Sequence, residues 1–202
     1  MSIESQILHK IKEQGSGAVF FVEDFIAFGS SKACGKALER LTLQGTIVRV
    51  ARGIYSYPKI SELLGPITPS VESIAEAIAR RDKARIVPTG EYAMNILGLS
   101  TQIPMKVIYL TDGMPRKIML GNRTLILKKA APKNLVAKGK ISGLVIQALK
   151  FIGKDNLTEI TEHKVIDLLK QESQENLIHD MSLAPEWIRI LMRRIQYYNE
   201  LE

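Results

Sequence analysis

The sequence predicts an α+β protein in two parts, residues 1–60 and residues 61–202. Its 202 residues, 46% of them hydrophobic and 24% charged, are typical of a globular chain that forms one large or two small domains. Apolar residues recur with the helical period in some segments and with the strand period in others. A segment rich in turn-forming residues, 59–69, separates the two parts.

Three helices are predicted first. They span about residues 2–14, 22–28 and 31–44, and a glycine or serine stands at their boundaries. In the third helix, Ser30 or Ser31 is the predicted cap. One face of this helix carries apolar side chains, and about 180° away Lys32 and Lys36 lie one turn apart.

A β-hairpin follows the third helix. Residues 46–50 alternate in strand fashion, Arg52 and Gly53 form a turn, and residues 54–57 make the second strand. Three helices and a two-stranded hairpin with a basic tip, within 60 residues, are the element order of a winged helix-turn-helix. We expect Tyr55 and Tyr57 to close the core, although base stacking is the alternative.

The winged-helix pattern predicts contact with duplex DNA. Lysines on a recognition helix find phosphate more often than bases, whereas an arginine at the hairpin tip fits a narrow minor groove. The alternative is that these cations are only solvated charges. The candidate DNA-binding residues are Ser31, Lys32, Lys36, Arg40, Arg49 and Arg52.

The second part is predicted to be mixed. It begins with a helix capped by Ser70, followed by a strand at 86–88 and a helix at 90–97. Three strands at 107–111, 117–120 and 124–129, separated by turn signals, predict a small antiparallel sheet. From about Gly143 the pattern is helical to the end of the chain.

Positive charge is concentrated in the first two thirds of the chain. Lysine plus arginine number 28 against 21 acidic residues, a net charge of +7. Residues 1–60 carry +3 (8 basic, 5 acidic), residues 61–135 carry +5 (11 and 6) and residues 136–202 carry −1 (9 and 10). This asymmetry indicates two surfaces with different partners, and the alternative is that the charges serve only solubility. A second basic cluster comprises Arg80, Arg81, Lys83 and Arg85. It is a candidate surface for a protein partner or nucleic acid, or simply a set of cations at a helix C-terminus.

Several function classes lack their sequence signals. The lone Cys34 and the scattered histidines do not have the spacing of a metal site, and no phosphate-binding loop or nucleophile elbow is present. We therefore expect no catalytic residue, no metal and no cofactor. A single cysteine, no signal peptide and no apolar run near 18 residues predict a soluble cytoplasmic protein without membrane contact.

Two stretches resemble a known family. Residues 37–55 contain ALERL, GTIVRV and RGIY, and residues 91–111 contain EYAMNILGL and VIYLT. Together these resemble the AbiE-type antitoxins of type IV toxin–antitoxin systems, over roughly residues 1–130. The resemblance implies a winged helix-turn-helix that represses its own operon through inverted repeats, and a second domain that counters a nucleotidyltransferase-like toxin. The tail after residue 136 departs from the family pattern.

The sequence therefore predicts a non-enzymatic transcriptional autoregulator and antitoxin. Its expected partners are the operator DNA of its own operon and the toxin encoded by the adjacent gene, with a homodimer on palindromic DNA. The alternatives are a nuclease or nucleotidyltransferase-like enzyme with a winged substrate-binding arm, and a protein-interaction module that never meets DNA.

Overall fold

The computed structural model describes residues 1–199. They form two compact units, Met1–Arg81 and a second unit that begins at Asp82. Helices combine with three small sheets in this part of the chain, so the predicted mixture of α and β structure is confirmed. None of the helices in residues 1–199 combines the length and the apolar character needed to cross a bilayer.

The first unit alternates helices with short strands. The elements are α1 (Ile3–Gln14), β1 (Val19–Phe21), a 3₁₀ helix (Val22–Phe28), α2 (Ser31–Leu43), β2 (Val48–Ala51), β3 (Ile54–Ser56), β4 (Lys59–Ser61), β5 (Gly65–Ile67) and α3 (Val71–Asp82). The three predicted helices are present, and the second of them is a 3₁₀ helix.

Three strands of the first unit form one antiparallel sheet in the order β1–β3–β2. The predicted hairpin is β2–β3, and its register shifts between Arg49 and Ala51. Gly53 in the turn has a φ of 75°, a conformation that favours glycine. The apolar run that becomes β1 pairs Val19 with Ser56, a pairing between distant segments that the local pattern does not predict.

The core of the first unit joins α1, the 3₁₀ helix and α2. Its buried members are Ile7, Ile11, Phe20, Phe25, Cys34, Ala37, Leu38, Leu41, Ile47 and Tyr55. The Cys34 thiol donates a hydrogen bond to the Phe25 carbonyl oxygen at 3.1 Å. A Cβ at Gly29 would lie 2.7 Å from Ile3 Cδ1, so glycine permits the close packing of α1 at the turn before α2. This packing fixes which face of α2 is buried.

The turn-rich segment after β3 forms the β4–β5 hairpin. Its turn-forming residues predict a domain boundary after residue 60, a position inside β4. By contact, α3 groups with the first unit up to Arg81, whose guanidinium carbon lies 4.2 Å from the centroid of the Phe21 ring. Ser70 caps α3 as predicted, since its hydroxyl accepts from the Ser73 amide at 3.1 Å.

The second unit contains a four-stranded sheet and four longer helices. Its elements are β6 (Ile86–Thr89), α4 (Glu91–Ile96), β7 (Lys106–Thr111), β8 (Arg116–Leu120), β9 (Arg123–Lys129), 3₁₀ helices at Pro132–Asn134 and Lys154–Asn156, α5 (Lys140–Ile152), α6 (Glu159–Leu169), α7 (Gln174–Met181) and α8 (Glu186–Asn199).

The sheet of the second unit is mixed, not antiparallel as predicted. Its order is β6–β7–β9–β8, in which β7 and β9 are parallel neighbours and the other two pairs are antiparallel. The local turn signals do predict that β8 pairs with β9. They do not show that β8 is the edge strand, so that the other side of β9 pairs with β7.

Helices α5 to α8 share a second core. It consists of Val145, Ile146, Leu149, Val165, Leu169, Leu177, Met181, Ala184, Ile188, Leu191 and Met192. The predicted helical tail is confirmed, with an additional break between α6 and α7. Trp187, the single tryptophan of the sequence, packs against this core and reports on its unfolding.

Two carboxylates cap the N-terminus of α5 from distant positions. Asp180 is fully buried and accepts from the Lys138 and Gly139 amides at 2.9 Å each, and from the Ser142 hydroxyl at 2.6 Å. Glu172 accepts from the Ile141 and Ser142 amides at 2.9 and 3.3 Å. The free N–H groups of a helix start are thereby satisfied by residues that follow α6 and end α7.

These hydrogen bonds determine the acidity of both groups. Burial opposes ionisation of Asp180, but hydrogen bonds from Ser142, His179 and two amides outweigh it and lower the pKa of Asp180. Burial likewise opposes ionisation of Glu172, and hydrogen bonds from Asn176 and three amides lower its pKa. Both groups bind protons less readily in the folded state, so their contribution to stability is full at neutral pH and is lost as the pH falls through the folded pKa.

Asp180→Asn is predicted to lower the free energy of unfolding at neutral pH by about 1–3 kcal/mol, because an amide cannot accept all four hydrogen bonds. Denaturant titrations followed by Trp187 fluorescence measure this difference. The difference in the free energy of unfolding between wild type and variant should decrease as the pH is lowered. Asp155→Asn, at an exposed position of the same unit, is the control. Equal stability of Asp180→Asn and wild type at neutral pH would contradict this account.

Candidate nucleic-acid interface

The outward face of α2 is polar and exposed. The Ser30 hydroxyl accepts from the Ala33 amide at 3.3 Å, so Ser30 is the cap and Ser31 is the first helical residue. Ser31, Lys32, Lys36 and Glu39 are exposed, whereas Cys34, Ala37, Leu38 and Leu41 are buried on the other side. The predicted division of α2 into two faces is therefore confirmed.

Two arginines of the hairpin are also exposed. Arg49 lies on β2 opposite Tyr55 of β3, and Arg52 lies in the turn between the strands. Within residues 1–199, neither guanidinium forms a hydrogen bond or an ion pair, and the same holds for the ammonium groups of Lys32 and Lys36. These four side chains can therefore contact an external anion without first breaking a contact inside the protein.

Arg40 differs from the other candidates, because its guanidinium is already paired. Its Nε donates to Glu4 Oε2 at 2.7 Å, and the side-chain amide of Gln44 donates to Glu4 Oε1 at 3.2 Å. The hydrogen bond from Arg40, together with that from Gln44, lowers the pKa of Glu4. The ion pair ties α2 to α1, so Arg40 helps to hold the helix in place.

A groove of about 410 Å³ runs between α2 and β2. It is lined by Gly35, Glu39, Thr42, Leu43, Arg49 and Tyr55. Four of these lie on α2 and were not among the predicted site residues. The helical period places Glu39 and Leu43 on the face of Lys32 and Lys36, with Gly35 and Thr42 on its flank, but it does not show what stands opposite. The pairing of β2 with β3 brings Arg49 to the facing wall.

The two tyrosines of the hairpin serve the core. Tyr55 is 7% exposed, and its ring stacks on Phe20 with centroids 6.4 Å apart and planes 9° from parallel. Tyr57 packs, partly buried, against the same core. The prediction of a core role is confirmed for both.

The basic cluster Arg80, Arg81, Lys83 and Arg85 is divided between the two units. In the first unit, Arg80 lies 3.9 Å from Glu76, and Arg81 stacks on Phe21. In the second, Lys83 is exposed with a φ of 51°, and Arg85 bonds Asp112. Three of the four guanidinium or ammonium groups therefore have partners within their own unit.

Asp112 organises the charged groups around it in the second unit. Its carboxylate accepts from the backbone and side-chain nitrogens of Arg85, both at 2.8 Å. These two hydrogen bonds, led by that of the side chain, lower the pKa of Asp112. Lys129 donates to the Asp112 carbonyl, and Arg116 pairs with Asp82 at 2.6 Å, beside a cavity of about 650 Å³. The charged residues that line this cavity, two aspartates and two cations, largely neutralise one another.

Ser142, His179 and Asp180 lie together, but not as a nucleophile with its base. Both Ser142 Oγ and His179 Nδ1 bond the buried Asp180 carboxylate, at 2.6 and 2.7 Å. An activated serine needs its hydroxyl on the imidazole instead. Among residues 1–199, His, Cys, Asp and Glu form no group of three or more with the spacing of a metal site. The expectation that the protein is not an enzyme stays a prediction.

The burial of Cys34 gives a test of the α2 packing. Because its side chain is fully buried and hydrogen-bonded to Phe25, we predict that a thiol reagent such as Ellman's reagent does not modify the native protein. The same reagent should titrate one thiol per chain in denaturant. Modification of the native protein at the rate of a free thiol would show that α2 does not pack as described.

The comparisons with known proteins give one family. A model for a family of unknown function, DUF6088, matches residues 6–177. This match includes most of the first unit and, in the second unit, continues into α7. No curated protein matches the chain. Since the matched residues cover most of the sequence, the chain belongs to the DUF6088 family.

Proposed function

We propose that the first unit is a winged helix-turn-helix that binds double-stranded DNA, and that the protein regulates transcription of its own operon. The order of elements supports this proposal. Helix, strand, two helices and a hairpin follow one another, and β1 pairs with β3 to complete a three-stranded sheet. In such a fold the second helix of the helix-turn-helix, here α2, enters the major groove.

The dimensions of α2 agree with that role. Its 13 residues give a length of roughly 20 Å, and the major groove is wide enough to admit an α-helix. The 3₁₀ helix and α2 are joined by the short Gly29–Ser30 turn and held by the Cys34 thiol. The buried face of α2 is thus fixed against the unit, which leaves the face with Lys32 and Lys36 for DNA.

The observation that carries the proposal is the set of four cations without internal partners. Lys32 and Lys36 on α2, and Arg49 and Arg52 on the hairpin, are exposed and unpaired in the described part of the chain. Each phosphate that such a cation neutralises releases a counterion, which makes binding tight at low salt and weak at high salt. Arg40 supports the interface by positioning α2 through Glu4.

The resemblance to AbiE-type antitoxins extends the proposal to a second partner. On that basis, the protein neutralises a nucleotidyltransferase-like toxin encoded by the adjacent gene, in the cytoplasm. Two copies would occupy the half-sites of an inverted repeat. Co-expression with the adjacent gene tests this part: the neighbour must be toxic alone and harmless together with this protein.

A charge-removal experiment tests DNA binding. The double variant Lys36→Ala plus Arg52→Ala should bind a fragment of its own promoter roughly tenfold or more weakly than wild type. The slope of log affinity against log salt should fall by about two, because about one counterion is lost per phosphate contact. Gel shifts at several salt concentrations measure both quantities.

The matched control removes the same charge from the second unit. Lys154→Ala plus Lys164→Ala changes two exposed lysines far from α2 in sequence and should leave binding and salt slope unchanged. Equal binding by wild type and the Lys36/Arg52 variant would refute the proposed interface. Metal-dependent cleavage of the fragment by wild-type protein would favour a nucleic-acid-processing enzyme instead.

A further inference from the structure

Gly35 is an unexplained glycine in the middle of α2. Glycine inside a helix is less favourable than alanine, because its backbone loses more conformational freedom on folding. Its backbone is not in the left-handed region, and a Cβ built at this position meets nothing within 4 Å. Neither backbone conformation nor packing within the chain therefore requires glycine at position 35.

The position of Gly35 indicates what lies against it. At about 100° per residue, Gly35 and Thr42 lie on one flank of the exposed face that carries Lys32, Lys36 and Glu39. The same flank forms the wall of the groove that faces Arg49 on β2. A missing side chain on an exposed wall allows the main chain of α2 to approach a large external surface closely.

Glu39 places a carboxylate, a hydrogen-bond acceptor, in the groove. It is exposed, lines the groove, and forms no ion pair or hydrogen bond with any described residue. A carboxylate repels phosphate, so it weakens general binding to DNA at the centre of the proposed interface. In the major groove, however, glutamate accepts a hydrogen bond from the amino group of cytosine.

From these observations we infer that the groove between α2 and β2 recognises a base edge rather than the DNA backbone. Glu39 accepts a hydrogen bond from the N4 amino group of a cytosine, and Gly35 allows α2 to come close enough for that contact. Arg49, on the opposite wall, offsets the negative charge of Glu39 as the site is desolvated. This inference rests on the proposed DNA binding and adds its sequence preference.

Selection from a random pool of duplex DNA tests the inference. Wild-type protein should select a site with a cytosine at one position, and replacing that C·G pair by T·A should weaken binding roughly tenfold or more. Glu39→Ala removes the acceptor, so it should lose discrimination at that position alone, and because it also removes the negative charge it should bind unrelated DNA more tightly. Glu13→Ala removes the same charge from α1 of the same unit and should keep the wild-type preference.

The variant Gly35→Ala gives a second test, because it should raise thermal stability and weaken DNA binding at the same time. Alanine should raise the melting temperature by about 2–4 °C, because it favours the helix and meets no neighbour. The same change should weaken binding to the selected site roughly tenfold or more, because the methyl group keeps α2 away from the bases. A rise in melting temperature also shows that the loss of binding is not a loss of folding.

The outcomes separate the inference from the proposal on which it rests. If wild-type protein binds no duplex DNA, the proposed function fails and the inference fails with it. If wild-type protein binds DNA but selects no cytosine, or if Glu39→Ala keeps the same preference at every position, the inference is overturned and DNA binding stands. Undiminished binding by Gly35→Ala likewise overturns the role of Gly35.

Discussion

Burial of one face of α2 is the constraint on which the first unit depends. Cys34, Ala37 and Leu38 are fully buried, and the Cys34 thiol bonds the carbonyl of Phe25 in the preceding 3₁₀ helix. Because a helix is rigid about its axis, fixing these residues also fixes the direction of Lys32, Lys36 and Glu39. The Arg40–Glu4 ion pair adds a link between α2 and α1 at the edge of that face.

The distribution of ion pairs separates the basic residues by role. Arg40, Arg85 and Arg116 each pair with a carboxylate at 2.6–2.8 Å, and these pairs join segments far apart in sequence. Lys32, Lys36, Arg49 and Arg52 have no such partner in the described residues. A net charge of +7 says nothing about this difference. The cations without partners can contact an external polyanion without breaking an internal ion pair.

The second unit uses two carboxylates, the buried Asp180 and the partly buried Glu172, to connect its helices. Asp180 and Glu172 cap α5 from about 30 to 42 residues further along the chain, by hydrogen bonds to its amides and to Ser142. Gly139 is necessary at this point, because a Cβ there would lie 2.1 Å from Ser142 Oγ and 2.3 Å from Glu172 Oε2. The cap orients α5 relative to α7, and the shared apolar core then holds α6 and α8 against them.

The sequence by itself determined the local structure. A serine before α1 and a glycine after it mark the limits of that helix. The division of α2 into buried and exposed faces follows from its period, and Arg52 and Gly53 place the turn of the hairpin. These features depend on contacts within a few residues, which spacing and residue type encode. For the same reason Lys32, Lys36, Arg49 and Arg52 were found as exposed candidates.

The tertiary structure decided the features that depend on contacts between segments far apart in the sequence. The pairing of β1 with β3, the parallel pairing of β7 with β9, and the Arg40–Glu4 ion pair each join segments that no local pattern relates. The groove between α2 and β2 is also of this kind, since Glu39 and Arg49 line the same groove only because the hairpin folds beside the helix. Such contacts depend on the packing of the whole unit. A local pattern identifies a strand or a charged residue, but it does not show which of several other strands or charges is its partner.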